Sequence, residues 1–187
     1  MLQGCLGLAP DVYEMDDGSV WQVGNFQLSG TAYWKWIGFQ RNFADPPLAF
    51  LTMESTNGGQ AATVRAKDIG RYGFKAAIFE EEYLMDGHLK EEVGYVAIYH
   101  PGANSSDKVE GHATFNGMDY SYTLHRIWAD HQWAAVDGVE LKLEEERSLD
   151  GEVNHVEEAI DVLQINDQIF AQQVSSRGQD TTALRRR

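Results

Sequence analysis

The sequence predicts an all-β protein, an antiparallel β-sandwich built as two similar lobes. Three observations carry that expectation. A unit of strand, acidic link and strand occurs twice, over 73–98 and again over 138–165. Apolar residues alternate with a period near two along much of the chain, and no stretch sustains an apolar stripe over three helical turns. Turn-forming residues, 18 glycines among them, punctuate the alternating runs at short intervals.

The two copies of the unit match in detail. Each runs an apolar strand into three glutamates, Glu80, Glu81 and Glu82 in the first and Glu144, Glu145 and Glu146 in the second. Each then turns at an Asp-Gly pair, Asp86-Gly87 and Asp150-Gly151, and resumes with His-x-x-Glu, from His88 and from His155. A hairpin is expected in each. A second match aligns 50–65 with 170–185 without a gap, which makes Arg65 and Arg185 equivalent. In the first half this segment precedes the acidic unit; in the second it follows. The second lobe is therefore expected to be circularly permuted or completed by the C-terminal strand. The resulting division is an arm over 1–18, one sandwich over 19–102 and a looser second repeat over 103–187.

Taken in order, strands are expected at 20–23, with 25–28 extending or pairing with it, and over 31–43, where Lys35, Ile37 and Phe39 share one side and Trp34, Trp36 and Gly38 the other. Asp45-Pro46-Pro47 stops that run, since proline offers no amide to a ladder. Strands follow at 48–53 and 62–66, separated by the loop of Ser55 to Gly59. A turn from Asp68 leads into the acidic unit, and 100–107, dense in turn formers, is the expected linker. Beyond it strands are expected at 112–122, 124–128, 132–136, 169–174 and 181–184, with a hairpin dipeptide at Asp137-Gly138. The run 156–163 could be mistaken for a helix, but the repeat assigns it to a strand.

A net charge of −14, from 15 basic against 29 acidic residues, argues against binding a phosphate backbone or an anionic lipid surface. No nucleic-acid partner is expected, and no apolar run reaches the ~18 residues of a membrane span, so no membrane insertion is expected either. Cys5 stands alone and excludes an intrachain disulfide. No Gly-x-Ser-x-Gly, phosphate loop or Cys–His pair occurs, and the plentiful carboxylates single out no catalytic pair, so the chain reads as a non-enzyme.

The candidate chemistry lies in the repeated features. Glu80, Glu82 and Asp86 beside an Asp-Gly turn are candidate oxygen ligands for calcium, or acceptors for sugar hydroxyls, or a solvated acidic rim. His88 fits best as a structural residue bonded to a neighbouring strand or to the glutamate that follows. Arg65 and Arg185 each end a strand after a Gly-containing loop, where a guanidinium can present its fork to a carboxylate or to vicinal hydroxyls, or pair with a nearby glutamate. Trp34, Trp36, Trp128 and Trp133 are divided between core and sugar-stacking roles.

Phe43 with Asp45-Pro46-Pro47 and Phe50, then Val64-Arg65, Gly73-Phe74 and Val93-Gly94-Tyr95, resembles the H-type lectin family over 24–102, with a looser likeness over 130–185. The resemblance implies a six-stranded antiparallel sandwich. It also implies trimers that bind N-acetylgalactosamine-type sugars between protomers, with Arg65 in the place of the family's strand arginine. The family's aromatic and histidine contacts are replaced here by Glu81 and Glu82. The expected function is non-catalytic recognition of a glycan or polysaccharide by a homo-oligomer at a cell or virion surface or outside the cell. The expected ligand-binding residues are Arg65, Glu80, Glu81, Glu82, Asp86, His88 and Arg185, with calcium a candidate cofactor. The alternative is a structural module of a virus particle, spike, tail or surface appendage that uses the same sandwich without sugar binding.

Overall fold

The computed structural model describes residues 8–80, 87–103, 108–129, 133–136, 139–142, 158–166 and 168–175. These contain thirteen strands and no helix, so no helix is long and apolar enough to cross a membrane. The first seven strands are β1 (Asp11–Glu14), β2 (Val20–Leu28), β3 (Lys35–Gly38), β4 (Leu48–Met53), β5 (Ala62–Lys67), β6 (Gly73–Glu80) and β7 (Glu91–Tyr99). The remainder are β8 (Val109–Phe115), β9 (Met118–Ala129), β10 (Trp133–Val136), β11 (Val139–Lys142), β12 (Glu158–Ile165) and β13 (Gln168–Ser175). They form a four-stranded sheet in the order β1-β2-β7-β4, a seven-stranded sheet in the order β3-β6-β5-β13-β12-β9-β8, and the β10-β11 pair. The expected all-β, packed antiparallel architecture is what the chain adopts. The one parallel pairing between described strands joins β5 to β13 through Ala66 and Lys67.

The four-stranded sheet is buried on both faces. Along β7, Val96 and Ile98 enter one core with Trp21, Val23, Leu48 and Phe50. That core is closed by Phe115 of β8, Tyr122 and Leu124 of β9, and Leu163 and Ile165 of β12. Val93, Tyr95 and Ala97, the alternate residues of β7, enter the other core with Ile37, Val64, Ala66, Phe74, Ala76 and Ile78. The seven-stranded sheet thus folds around the β4 edge, with β3, β6 and β5 covering one face and β12, β9 and β8 the other. Near-continuous apolar runs in β4 and β7 are the sequence signature of strands buried on two sides.

This geometry refines the expected division. Residues 19–102 enclose a core of their own, whereas the strands after 103 bury their apolar face on the back of the first stretch's sheet. The expected arm contributes β1, an edge strand on β2. Its turn is tied to the second stretch: Asp17 Oδ2 accepts from Tyr122 Oη at 2.9 Å and from the His112 amide at 3.0 Å.

Wrapping a sheet around β4 leaves outward-pointing amides on that edge that no strand pairs. Side chains supply the acceptors. The Ala49 amide donates to Asp161 Oδ2 at 3.3 Å and the Leu51 amide to Gln172 Oε1 at 3.1 Å. Asp161 is fully buried, and Arg126, its cross-strand partner, donates through Nε to Oδ1 at 2.5 Å and through Nη2 to Oδ2 at 2.9 Å. Burial pushes the Asp161 carboxyl up, and the Arg126 fork opposes that rise.

Three expectations change. The acidic units are not hairpins: β6 pairs with β3 and β5 while β7 pairs with β2 and β4, so the link between them crosses from one sheet to the other. The second copy does the same, with β11 paired to β10 and β12 paired to β9 and β13. The run expected as a strand over 31–43 narrows to β3. Ala32 takes a positive φ of 56°, and the Phe39 and Phe43 amides turn back to the Tyr72 and Arg71 carbonyls. The strand expected over 112–122 is split by a tight turn at Asn116-Gly117, with φ of 52° and 76°, so that β8 and β9 form a hairpin. By contrast, 158–165 is the expected strand, and Val136 pairs with Val139 across the expected hairpin dipeptide.

Arg126→Ala leaves Asp161 charged without its counter-ion inside the protein and is expected to cost about 3–5 kcal/mol in urea denaturation. Gln172→Leu strips the Leu51 amide of its acceptor and is expected to cost about 1–3 kcal/mol in the same assay.

Candidate functional site

Strand parity divides the expected site residues. Glu80 closes β6 on the side of Ala76 and Ile78, facing the core. Arg65 lies opposite Ala77, on the outward side of the same sheet. The two therefore sit on opposite faces, and the expected union of Arg65 with Glu80 and His88 does not form. Glu81, Glu82, Asp86 and Arg185 lie outside the described residues, as do Glu144, Glu146 and Asp150.

The inward group is a closed chain of hydrogen bonds. His88 is buried, with Nδ1 2.6 Å from Glu80 Oε1 and Nε2 3.1 Å from Glu91 Oε1. Thr31 Oγ1 donates to Glu80, and Ser55 Oγ donates to Glu91. The Gly58 amide adds a third contact to Glu91 at 2.7 Å, and the His88 carbonyl accepts from the Gly30 amide at 2.8 Å. Carboxylates only accept, so both imidazole contacts are satisfied together when both ring nitrogens carry hydrogen. Residue 58 must be glycine: a Cβ there would stand 2.5 Å from His88 Cε1. The structural reading of His88, bonded to the glutamate three residues on, is the one its geometry fits. Sequence reasoning found the His-x-x-Glu spacing but not the role of Glu91 as the hub.

Burial alone would raise the Glu91 pKa. Hydrogen bonds from the Asn57 and Gly58 amides, Ser55 and His88 outweigh it and hold the carboxyl at about 2 against an ordinary 4.5. Glu80 is likewise held below its ordinary value, with burial opposed by bonds from Thr31 and His88. Both oxygens of Glu80 are thus engaged, so a calcium ion at this carboxylate would have to displace Thr31 and His88. Among the described residues no group of three or more His, Cys, Asp or Glu side chains is arranged to hold a metal.

The outward face of β3, β6 and β5 is different in kind. Its outward positions are Trp36 on β3, Lys75, Ala77 and Phe79 on β6, and Thr63, Arg65 and Lys67 on β5. The Arg65 guanidinium lies over the Phe79 ring at 4.7 Å, and Lys67 Nζ over Trp34 at 4.3 Å. Trp34 and Phe79 meet edge-on at 5.5 Å. Trp36 is 53% exposed, with Tyr72 (60%) and Tyr33 (72%) on the flanking segments. Gly73 lets β3 approach this closely, because a Cβ there would lie 2.2 Å from the Ile37 carbonyl oxygen and 2.7 Å from the Trp36 ring. Lys67, Lys75 and Phe79 were not singled out in the sequence. Their signal was parity along β5 and β6, readable only once the register is known.

No family model, curated protein or solved structure matches the chain.

Because the folded-state pKa of Glu91 lies below the ordinary value, its contribution is fully present above about pH 4.5 and is lost as pH falls toward 2. Wild type is expected to lose stability over that window in urea titrations at pH 7, 4.5 and 3, and Glu91→Gln to lose less between the same points.

Proposed function

We propose that the chain is a non-catalytic, lectin-like carbohydrate-binding module acting within a homo-oligomer at a cell or virion surface or outside the cell. The observation that carries this reading is the outward face of β3, β6 and β5. There Trp34, Trp36 and Phe79 stand beside the Arg65 guanidinium on a rigid sheet. Aromatic faces accept the C–H faces of sugar rings, and a guanidinium held on a strand offers paired donors to hydroxyls or carboxylates. Arg65 is also the residue that carries the H-type lectin resemblance, so the motif and the platform converge on it. A shallow face of this sort holds a single sugar weakly, and several copies in a trimer would supply useful avidity. Glu80 and His88 serve this reading indirectly, as the clasp that anchors the end of β6.

A second reading draws on the same exposed rings. Trp36, Tyr72 and Tyr33 also suit a protein–protein contact in a particle or appendage, where aromatic residues are enriched.

Glycan-array binding is the test. Bound glycan is expected to fall about tenfold in Trp36→Ala, roughly the value of one aromatic contact, and further in Arg65→Ala, with the melting temperature of Trp36→Ala little changed. Calcium is to be varied in parallel. Absence of any glycan signal, together with a fixed stoichiometry in light scattering that free sugar leaves intact, would favour the assembly reading.

A further inference from the structure

The charge on the outward face runs against the chain. Acidic residues outnumber basic ones by 29 to 15, yet no outward position of β3, β5 or β6 is acidic. Three of these positions are cationic: Arg65 and Lys67 on β5 and Lys75 on β6. The register sets Lys67 directly opposite Lys75, an arrangement of like charges that destabilises a strand pair. Asp68, after the end of β5, pairs with Lys75 Nζ at 2.9 Å, which leaves the face with an excess of positive charge over its described acids. The aromatic rings alternate with these cations: Lys67 over Trp34, Arg65 over Phe79, Trp36 opposite Lys75. A neutral sugar has no need of such clustering, whereas a sugar ring stacked on the aromatics would bring an acidic substituent within reach of it.

We propose that this face takes an acidic saccharide, one carrying one or two carboxylate or sulfate groups on a ring that stacks against Trp36 and its neighbours. The inference rests on the reading of the face as a glycan platform and deepens it. The net charge of −14 sets the size of the ligand. Beyond the Debye length of about 8 Å at physiological salt the local cations are screened, and a long, dense polyanion would meet the repulsion of the rest of the molecule at low salt. A short oligosaccharide feels mainly the patch.

The experiment is calorimetric titration of the full chain at 50 and 300 mM NaCl. The probes are a galacturonate tetrasaccharide for carboxylates, a heparin-derived tetrasaccharide for sulfates, neutral maltotetraose, and an eight-nucleotide oligothymidylate. At least one acidic tetrasaccharide is expected to bind tenfold or more tighter than maltotetraose at 50 mM NaCl and to lose most of that margin at 300 mM. The tighter of the two identifies the anionic group. Lys67→Glu and Lys75→Glu, each first shown to melt cooperatively near the wild-type temperature, are expected to abolish the margin. Equal or tighter binding of maltotetraose overturns the acidic preference and leaves the glycan reading standing. Binding of neither kind of saccharide overturns both. Tighter binding of oligothymidylate, or an acidic margin indifferent to both lysine variants, overturns the assignment to this face.

Discussion

The architecture depends on how one strand edge is satisfied. β4 is the last strand of a sheet buried on both faces, and the larger sheet bends around it. An edge enclosed in this way cannot leave its amides to water, and an unmade hydrogen bond inside a protein costs more than a made one contributes. Asp161 and Gln172 project from neighbouring strands of the outer sheet and accept from Ala49 and Leu51. Gln172 Nε2 reaches back to the Val64 carbonyl at 3.4 Å, which ties β13 to β5 where their own pairing is only two residues long. Arg126 supplies the counter-charge that makes a buried Asp161 tolerable. The two halves of the outer sheet are held in a common frame by polar side chains as much as by ladder hydrogen bonds.

The Glu80–His88–Glu91 chain is a second constraint of the same kind, placed where the chain passes between sheets. It gathers Thr31 before β3, the end of β6, the start of β7 and the Ser55–Gly58 loop after β4. A crossover of this sort has no ladder to hold it, so its ends are fixed by side chains. The functional face lies across the sheet from this clasp. Inward residues of β6 belong to packing and hydrogen bonding, and outward residues of the same strand belong to the surface that meets a ligand. One strand thus serves both ends, because its side chains alternate.

Much of this was legible before coordinates, and particular residues show where legibility ended. The strand at 48–53 was readable with its bounds, since a six-residue apolar run between prolines and a polar loop has few alternatives. The strand character of 158–165 was readable through the repeat, against a local pattern that suits a helix. The Asn116-Gly117 turn was readable too and was passed over, although that dipeptide in an alternating run signals a hairpin. The acidic units were read as hairpins because strand, Asp-Gly and strand is the pattern of one. Nothing in that pattern distinguishes a turn that pairs its flanking strands from a link that sends them to different sheets. The sequence likewise placed Arg65 and Glu80 among candidate ligands without revealing that they face opposite ways.

By itself, the sequence determined the strand content, most strand positions, the repeated unit and the side-chain types available to a binding face, since all of these follow from local alternation and turn chemistry. Only the tertiary structure decided which strands pair, which of their two faces is enclosed, and so which polar residues become internal fasteners and which meet solvent. The reason is that a strand's register and partners are set by contacts between residues far apart in the chain, and a shift of one residue exchanges every inward side chain for an outward one.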